Sequence, residues 1–293
     1  VLFRSQLEPA DLTIPDVVLG ETGDLFGGIV VLNNEDAKVT DLRIVTEVDG
    51  KTVSTPVPAI QPLSLRKVRF NFRASQVSGK VVVSLYRGQT RLDTTTVEAR
   101  LRKSTETYKR TFVSGIDGSV QYYGVTPSLK PSPTNSLVLT LHGASVEGIG
   151  QAQAYAPKNW GWIVAPTNRR PYGFDWEDWG RMDALEVLGI AESTLPHDPR
   201  RVYLTGHSMG GHGTWSVGTL YPNRFAAIAP SAGWISFWSY AGGWEPRDAT
   251  PQEKVLRSSM NASDTLMRQH NLANRGVYIL HGDADDNVPV EQA

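Results

Sequence analysis

Alternation of apolar and polar positions dominates the first hundred residues. In Val68-Arg69-Phe70-Asn71-Phe72 every second side chain is apolar, the period of a strand with one buried face and one wet face. The same reading predicts strands at 12–19, 28–32, 42–48, 52–57, 65–72, 81–86 and 91–99. Asn33-Asn34, Asp49-Gly50, Ser78-Gly79 and Arg87-Gly88 lie between them, pairs that accept the backbone angles of tight turns. The pattern changes after the polar stretch Arg102-Lys103-Ser104-Thr105-Glu106. Segments 107–114 and 119–126 still read as strands, joined by the hairpin signal Gly115-Ile116-Asp117-Gly118. Beyond the Pro- and Ser-rich loop 127–136, continuous apolar runs at 137–141, 161–165, 202–205, 225–229 and 277–280 alternate with helix-period segments such as 179–193.

Continuous apolar runs suit strands buried on both faces, and strand–helix alternation implies a mostly parallel sheet covered on both sides. The first region, with seven short strands at regular spacing, predicts an immunoglobulin-like sandwich. The expected division is an all-β accessory module over 1–102 and a doubly wound α/β domain over 103–293. No histidine and no cluster of reactive groups falls in the sandwich, which reads as a spacer or positioning module.

Charge and composition narrow the partners. With 29 basic and 30 acidic residues, a net charge of −1 and no basic run, nucleic acid and anionic membrane surfaces are poor partners. No apolar run reaches the ~18 residues of a spanning helix. Cysteine is absent, which removes disulfides, thiolate zinc sites and a cysteine nucleophile. The chain opens at Val1 rather than Met, shows no signal peptide and stops at Ala293 soon after a strand-like run. A fragment cut at both ends, with the α/β domain incomplete at its C-terminal end, is therefore expected.

One stretch organises the chemistry. The run Val202–Thr205 breaks at Gly206, and Gly210-Gly211 opens a helical pattern, leaving Gly206-x-Ser208-x-Gly210 between strand and helix. That is the context of a nucleophile elbow, whose tight turn admits only very small side chains two residues to either side of the serine. An activated serine also needs oxyanion donors, an acid and a base. Leu141-His142-Gly143-Ala144-Ser145 directly follows the first core run, where such folds supply a backbone N–H. Ala144 and Met209 are therefore the expected oxyanion donors. His142 reads as support for that loop rather than as the base. The acid should follow a later strand, and His281-Gly282-Asp283-Ala284-Asp285-Asp286-Asn287-Val288 provides three candidates. Besides His281 the motif holds no second histidine and no glutamate to complete a ligand pattern, so no metal is expected, and no cofactor is implied.

Together, Gly-His-Ser-Met-Gly-Gly at 206–211, the His142-Gly143 loop and the 281–288 motif resemble the α/β-hydrolase superfamily, the last motif especially its prolyl oligopeptidase branch and esterase relatives. The resemblance covers about 107–293 and leaves the sandwich outside it. It implies a serine hydrolase acting on a small ester or peptide substrate through an acyl-enzyme, with Ser208 as nucleophile and Asp285 as triad acid. Asp283 and Asp286 are the alternatives for the acid. A small sandwich joined to a hydrolase resembles exported bacterial enzymes, which favours a periplasmic or secreted setting. The superfamily order is Ser, Asp, His, yet all six histidines precede Asp285. The triad histidine is thus expected beyond Ala293, with His281 the only visible substitute. A non-catalytic binding protein on a hydrolase scaffold is the alternative that a missing base raises. Two loops are candidates for shaping the substrate pocket: Tyr172, Phe174 and Trp176 after the second core run, for which aromatic packing of a long loop is an equal alternative, and Trp234, Phe237, Trp238, Tyr240 and Trp244 as an apolar cap.

Overall fold

A computed structural model describes residues 5–170, 172–173, 175–240, 249–259 and 261–293, which leaves Phe174 and Trp244 outside the described residues. The chain divides into two units, Val1–Tyr122 and Tyr123–Ala293, at a point inside the strand Val120–Thr126 and beyond the polar stretch at 102–106.

In the first unit the alternating runs form two antiparallel sheets. One orders Gln6–Thr13, Asp24–Asn33 and Ser64–Arg73; the other orders Lys51–Pro56, Leu42–Val48, Lys80–Arg87 and Thr90–Glu98. Period two sends Ile29, Val31, Phe70 and Phe72 of the first sheet and Ile44, Val83 and Leu85 of the second into one buried cluster. Each such side chain contributes roughly 1.5–3 kcal/mol by leaving water. The expected strand at 12–19 is not continuous: strand ends at Thr13, and Val17–Val18 instead pairs with Leu101–Arg102. Pro15 has no N–H to donate to a ladder. The buried Asp16 carboxylate beside it accepts the Lys109 N–H at 2.9 Å and pairs with Arg100 at 3.0 Å.

The second unit is built on a sheet ordered Val120–Thr126, Gly161–Ala165, Ser136–Leu141, Val202–His207, Ala227–Ser231 and Gly276–Val277. Among these six strands, Val120–Thr126 pairs with Gly161–Ala165 antiparallel and the other four pairs are parallel. Leu137, Leu139, Val202, Leu204 and Ile228 share one face by register, and the helix Met209–Leu220 lies against it, its Gly218 facing Ile228. On the opposite face Gln151 of the helix Gly148–Gln153 donates to the Thr140 hydroxyl at 2.8 Å. With helices on both faces the sheet is doubly wound, as the strand–helix alternation predicts. The helix Asp178–Thr194 buries Gly180, Ala184, Val187, Leu188 and Ala191, a helical spacing.

Two strands depart from expectation. The strand at 227–231 starts two residues later than expected, after a 3-10 turn at Pro222–Arg224. The final run was expected to be a buried core strand. It is reduced to Gly276–Val277 plus a bridge from Ser231 to Leu280, and Val277, Tyr278, Ile279 and Leu280 are 39–67% exposed.

Register puts the site residues on one rim. Leu141 lies opposite Gly206, His207 opposite Ser231, and Ser231 opposite Leu280. The loops that follow these residues therefore leave the carboxyl ends of parallel strands side by side, where ligands bind in open α/β sheets. Among the described residues, no helix is long and apolar enough to cross a membrane.

Candidate active site

Ser208 sits between the strand Val202–His207 and the helix Met209–Leu220 with φ 57° and ψ −120°. A non-glycine residue held there is strained, and such strain persists only where the surroundings over-determine it. The surroundings do so through glycine. A Cβ on Gly206 would stand 2.3 Å from the Gly210 carbonyl oxygen, and one on Gly210 would stand 2.0 Å from that of Leu141. A Cβ on Gly211 would meet the Ser231 carbonyl oxygen at 2.4 Å. The Ser208 N–H donates to Ser231 at 2.9 Å, and the His212 N–H donates back to the Ser208 carbonyl at 3.0 Å. Turn, strand and helix thus hold the serine at a point where its side chain remains partly exposed.

The loop after Leu141 runs directly alongside. A Cβ on Gly143 would lie 3.5 Å from the Ser208 Cβ, so the loop backbone passes beside the serine. Ala144 follows, exposed to solvent. Met209 is the first helical residue, and the first N–H groups of a helix lack an acceptor within it. Ala144 and Met209 are the positions at which oxyanion donors are expected. His142 is fully buried, its ring nitrogens 2.9 Å from the carbonyl oxygens of Gly143 and Thr167. Burial lowers its pKa, with the two carbonyls acting in the opposite sense. Its ring supports the loop, the role expected for it.

Asp285 is fixed within its own turn. Its Oδ1 accepts the N–H of Val288 at 2.9 Å and of Asn287 at 3.0 Å, and these bonds hold its pKa below the usual carboxylate value. Its other oxygen lies 3.7 Å from His281 Nε2. That ring nitrogen is 2.7 Å from the Val288 carbonyl oxygen, which it can approach only as a donor. His212 places its ring nitrogens on the Trp234 carbonyl at 2.9 Å and Glu177 at 3.0 Å, while His207 meets the Ser231 hydroxyl at 3.1 Å. Each of these histidines already has a partner other than Ser208.

Tyr172, Trp176 and Trp234, three of the aromatic residues expected around the pocket, have different environments. Tyr172 is exposed, and its hydroxyl accepts a hydrogen bond from Ser145 in the loop beside Ser208. Trp176 is a correction: it is fully buried, with its indole N–H donating to the His142 carbonyl at 3.0 Å, so it offers no surface to a ligand. Trp234 is corrected in the same way. It is buried between His212 and Tyr240, stacked at 5.0 and 4.6 Å between ring centroids. Sequence reasoning passed over Glu177, which pairs with His212 across 35 positions.

Residues 168–293 match the model of the prolyl oligopeptidase family. Strand order, parallel register and strained elbow make the fold of the second unit that of an α/β-hydrolase. The chain is 26% identical over 290 residues to an uncharacterized secreted protein of Arthroderma benhamiae, covering 82% of this chain and 30% of that protein. It is 28% identical over 181 residues to the uncharacterized peptidase YuxL of Bacillus subtilis, covering 55% of this chain and 27% of the peptidase. It is 29% identical over 153 residues to poly(3-hydroxyalkanoate) depolymerase C of Paucimonas lemoignei, with coverages of 44% and 36%. The chain therefore spans about a third of the length of these relatives.

Proposed function

We propose that the second unit carries the nucleophile and acid of a serine hydrolase that cleaves a carboxylic ester or peptide bond through an acyl-enzyme. The observation that carries this reading is the strained backbone of Ser208, at φ 57°, enclosed by glycines that admit no side chain. In this mechanism the Ser208 oxygen attacks the substrate carbonyl carbon while its proton passes to a histidine. The N–H groups of Met209 and Ala144 receive the oxyanion. Asp285, kept ionised by the Val288 and Asn287 amides, orients that histidine and stabilises its charged form. The proton moves on to the leaving group, and water then attacks the acyl-enzyme by the same route in reverse.

We place the base on a segment following Ala293, because His142, His207, His212 and His281 all have other partners, and His197 and His270 precede the strands Val202–His207 and Gly276–Val277 rather than following their carboxyl ends. Tyr172 stands at the rim as a substrate contact, next to the loop carrying Ala144. The two-sheet first unit is read as an immunoglobulin-like accessory module. An exported setting is supported by its pattern and by the secreted relative.

The test is covalent. The full-length protein should label with a fluorophosphonate probe, and Ser208→Ala should abolish both labelling and turnover. Activity retained by Ser208→Ala on both p-nitrophenyl acyl esters and peptide amides would refute the mechanism. The ratio of the two activities separates esterase from peptidase. Alanine replacement of each histidine following Ala293 should reveal one whose loss matches that of Ser208.

A further inference from the structure

The loop after the strand Gly161–Ala165 has an unusual backbone. Asn168, Arg169, Asp175, Trp176 and Asp178 have φ of 53°, 66°, 54°, 60° and 40°, and none is glycine. Contacts must hold such a segment in place. Asp183 accepts the Asn168 N–H at 3.0 Å at one end of the loop, and the consecutive residues Trp176 and Glu177 tie the other end to the two elements beside Ser208.

Trp176 anchors to the oxyanion loop. Its indole N–H donates to the His142 carbonyl at 3.0 Å, and its ring meets the His142 ring edge-on at 4.8 Å. The same indole occupies the space that a side chain at position 213 would need: a Cβ on Gly213 would lie 2.5 Å from it. Glu177 anchors to the nucleophile helix. Its carboxylate is 3.0 Å from His212 Nε2, and the N–H of His212 is bonded to the Ser208 carbonyl at 3.0 Å. Burial, the largest influence, would raise the Glu177 pKa; the bond and charge of His212, with Ser263 and Arg268, together bring it below its ordinary value. The two anchored elements meet where Gly143 passes Ser208.

A buried tryptophan is ordinarily core filling. Here the glycine that receives the ring and the adjacent carboxylate on a second element indicate a tie between two parts. We propose that Trp176 and Glu177 form a brace that fixes the oxyanion loop against the nucleophile helix, which makes both of them positioning residues for acyl transfer. The inference rests on reading Ser208 as the nucleophile, but the brace itself can be measured without turnover.

The experiment compares Trp176→Phe, Glu177→Ala and Glu177→Gln in the full-length protein. Trp176→Phe keeps a buried ring and removes the N–H; Glu177→Gln keeps an acceptor for His212. Amide exchange is read at Val146, whose N–H bonds to Gly143 at 3.2 Å, and at His212. Trp176→Phe should speed exchange at Val146, Glu177→Ala should speed it at His212, and amides of the strand Ser136–Leu141 should not change. On a p-nitrophenyl ester, both variants should lose about 10- to 100-fold in kcat with KM within about twofold, the scale of an ångström of misplacement. Glu177→Gln should restore most of the loss. Unchanged exchange at both amides, or a loss confined to KM, would overturn the brace. Retained activity in Ser208→Ala would instead overturn the nucleophile, leaving the exchange result to decide the brace alone.

Discussion

The proposed nucleophile, Ser208, and the proposed acid, Asp285, are held on their sides of the rim by different physics. Around Ser208 the tightest approaches are backbone against backbone, and three glycines are required because a single added carbon would lie 2.0–2.4 Å from a carbonyl oxygen. The strand leading to it is flanked by strands on both sides and packed beneath a helix. Asp285 follows a short, exposed edge strand, yet its carboxylate is well placed because its two donors lie two and three residues away. Global packing positions the nucleophile; a local turn positions the acid. Substitutions on the two sides should therefore separate activity from stability.

The largest effect should come from the acid. Asp285→Asn keeps an oxygen for the Val288 and Asn287 amides but cannot stabilise a charged histidine. kcat/KM should fall by about 10⁴-fold with little change in melting temperature. A melting temperature that falls along with activity would show that the acid turn is not self-contained. The converse holds for Gly210→Ala. Its Cβ would sit 2.0 Å from the Leu141 carbonyl oxygen, so the turn must move. We expect on the order of 3 kcal/mol or more of lost stability by urea unfolding, together with loss of fluorophosphonate labelling.

The same contrast explains what could be read from the chain. The elbow was legible because its constraint is steric and local, and glycine is the one residue that meets it; the strand there begins at Val202 as expected. The Asp285 turn was legible as a motif on a loop. The 168–178 loop was misread in part, since an aromatic cluster has the same composition in a pocket wall and in a buried anchor. Gly213, in the helix interior and one turn past Ser208, is the signal that a large ring packs there. The Glu177–His212 pair carried no signal, because nothing local relates residues 35 positions apart. The last strand was misjudged because apolar content indicates burial only where another element covers it.

Ionisation gives a smaller effect on the nucleophile side. Burial, the largest influence, raises the Asp175 carboxyl to about 7; nearby His212 lowers it and Glu177 raises it. An unfolded aspartate ionises near pH ~4. The folded protein therefore holds this proton more tightly, and the associated stability is complete below that pH and lost as pH rises through about 7. Asp175→Asn should leave the melting temperature unchanged near pH ~4 and raise it progressively up to about pH 7. A gain that does not depend on pH would place Asp175 in contact with water.

The smallest effect belongs to the acid side and completes the contrast. Leu139 is fully buried in the central strand, and Ile279 is half exposed beside the last one. Leu139→Ala should cost roughly 2–5 kcal/mol, the usual range for a core aliphatic side chain. Ile279→Ala should stay within about 0.5 kcal/mol, as surface substitutions do. Because Asp285 is fixed by its own turn, Ile279→Ala should also leave kcat unchanged. A fall in kcat without a change in stability would mean that the strand does transmit position to the carboxylate, and the acid side would then depend on packing as the nucleophile side does.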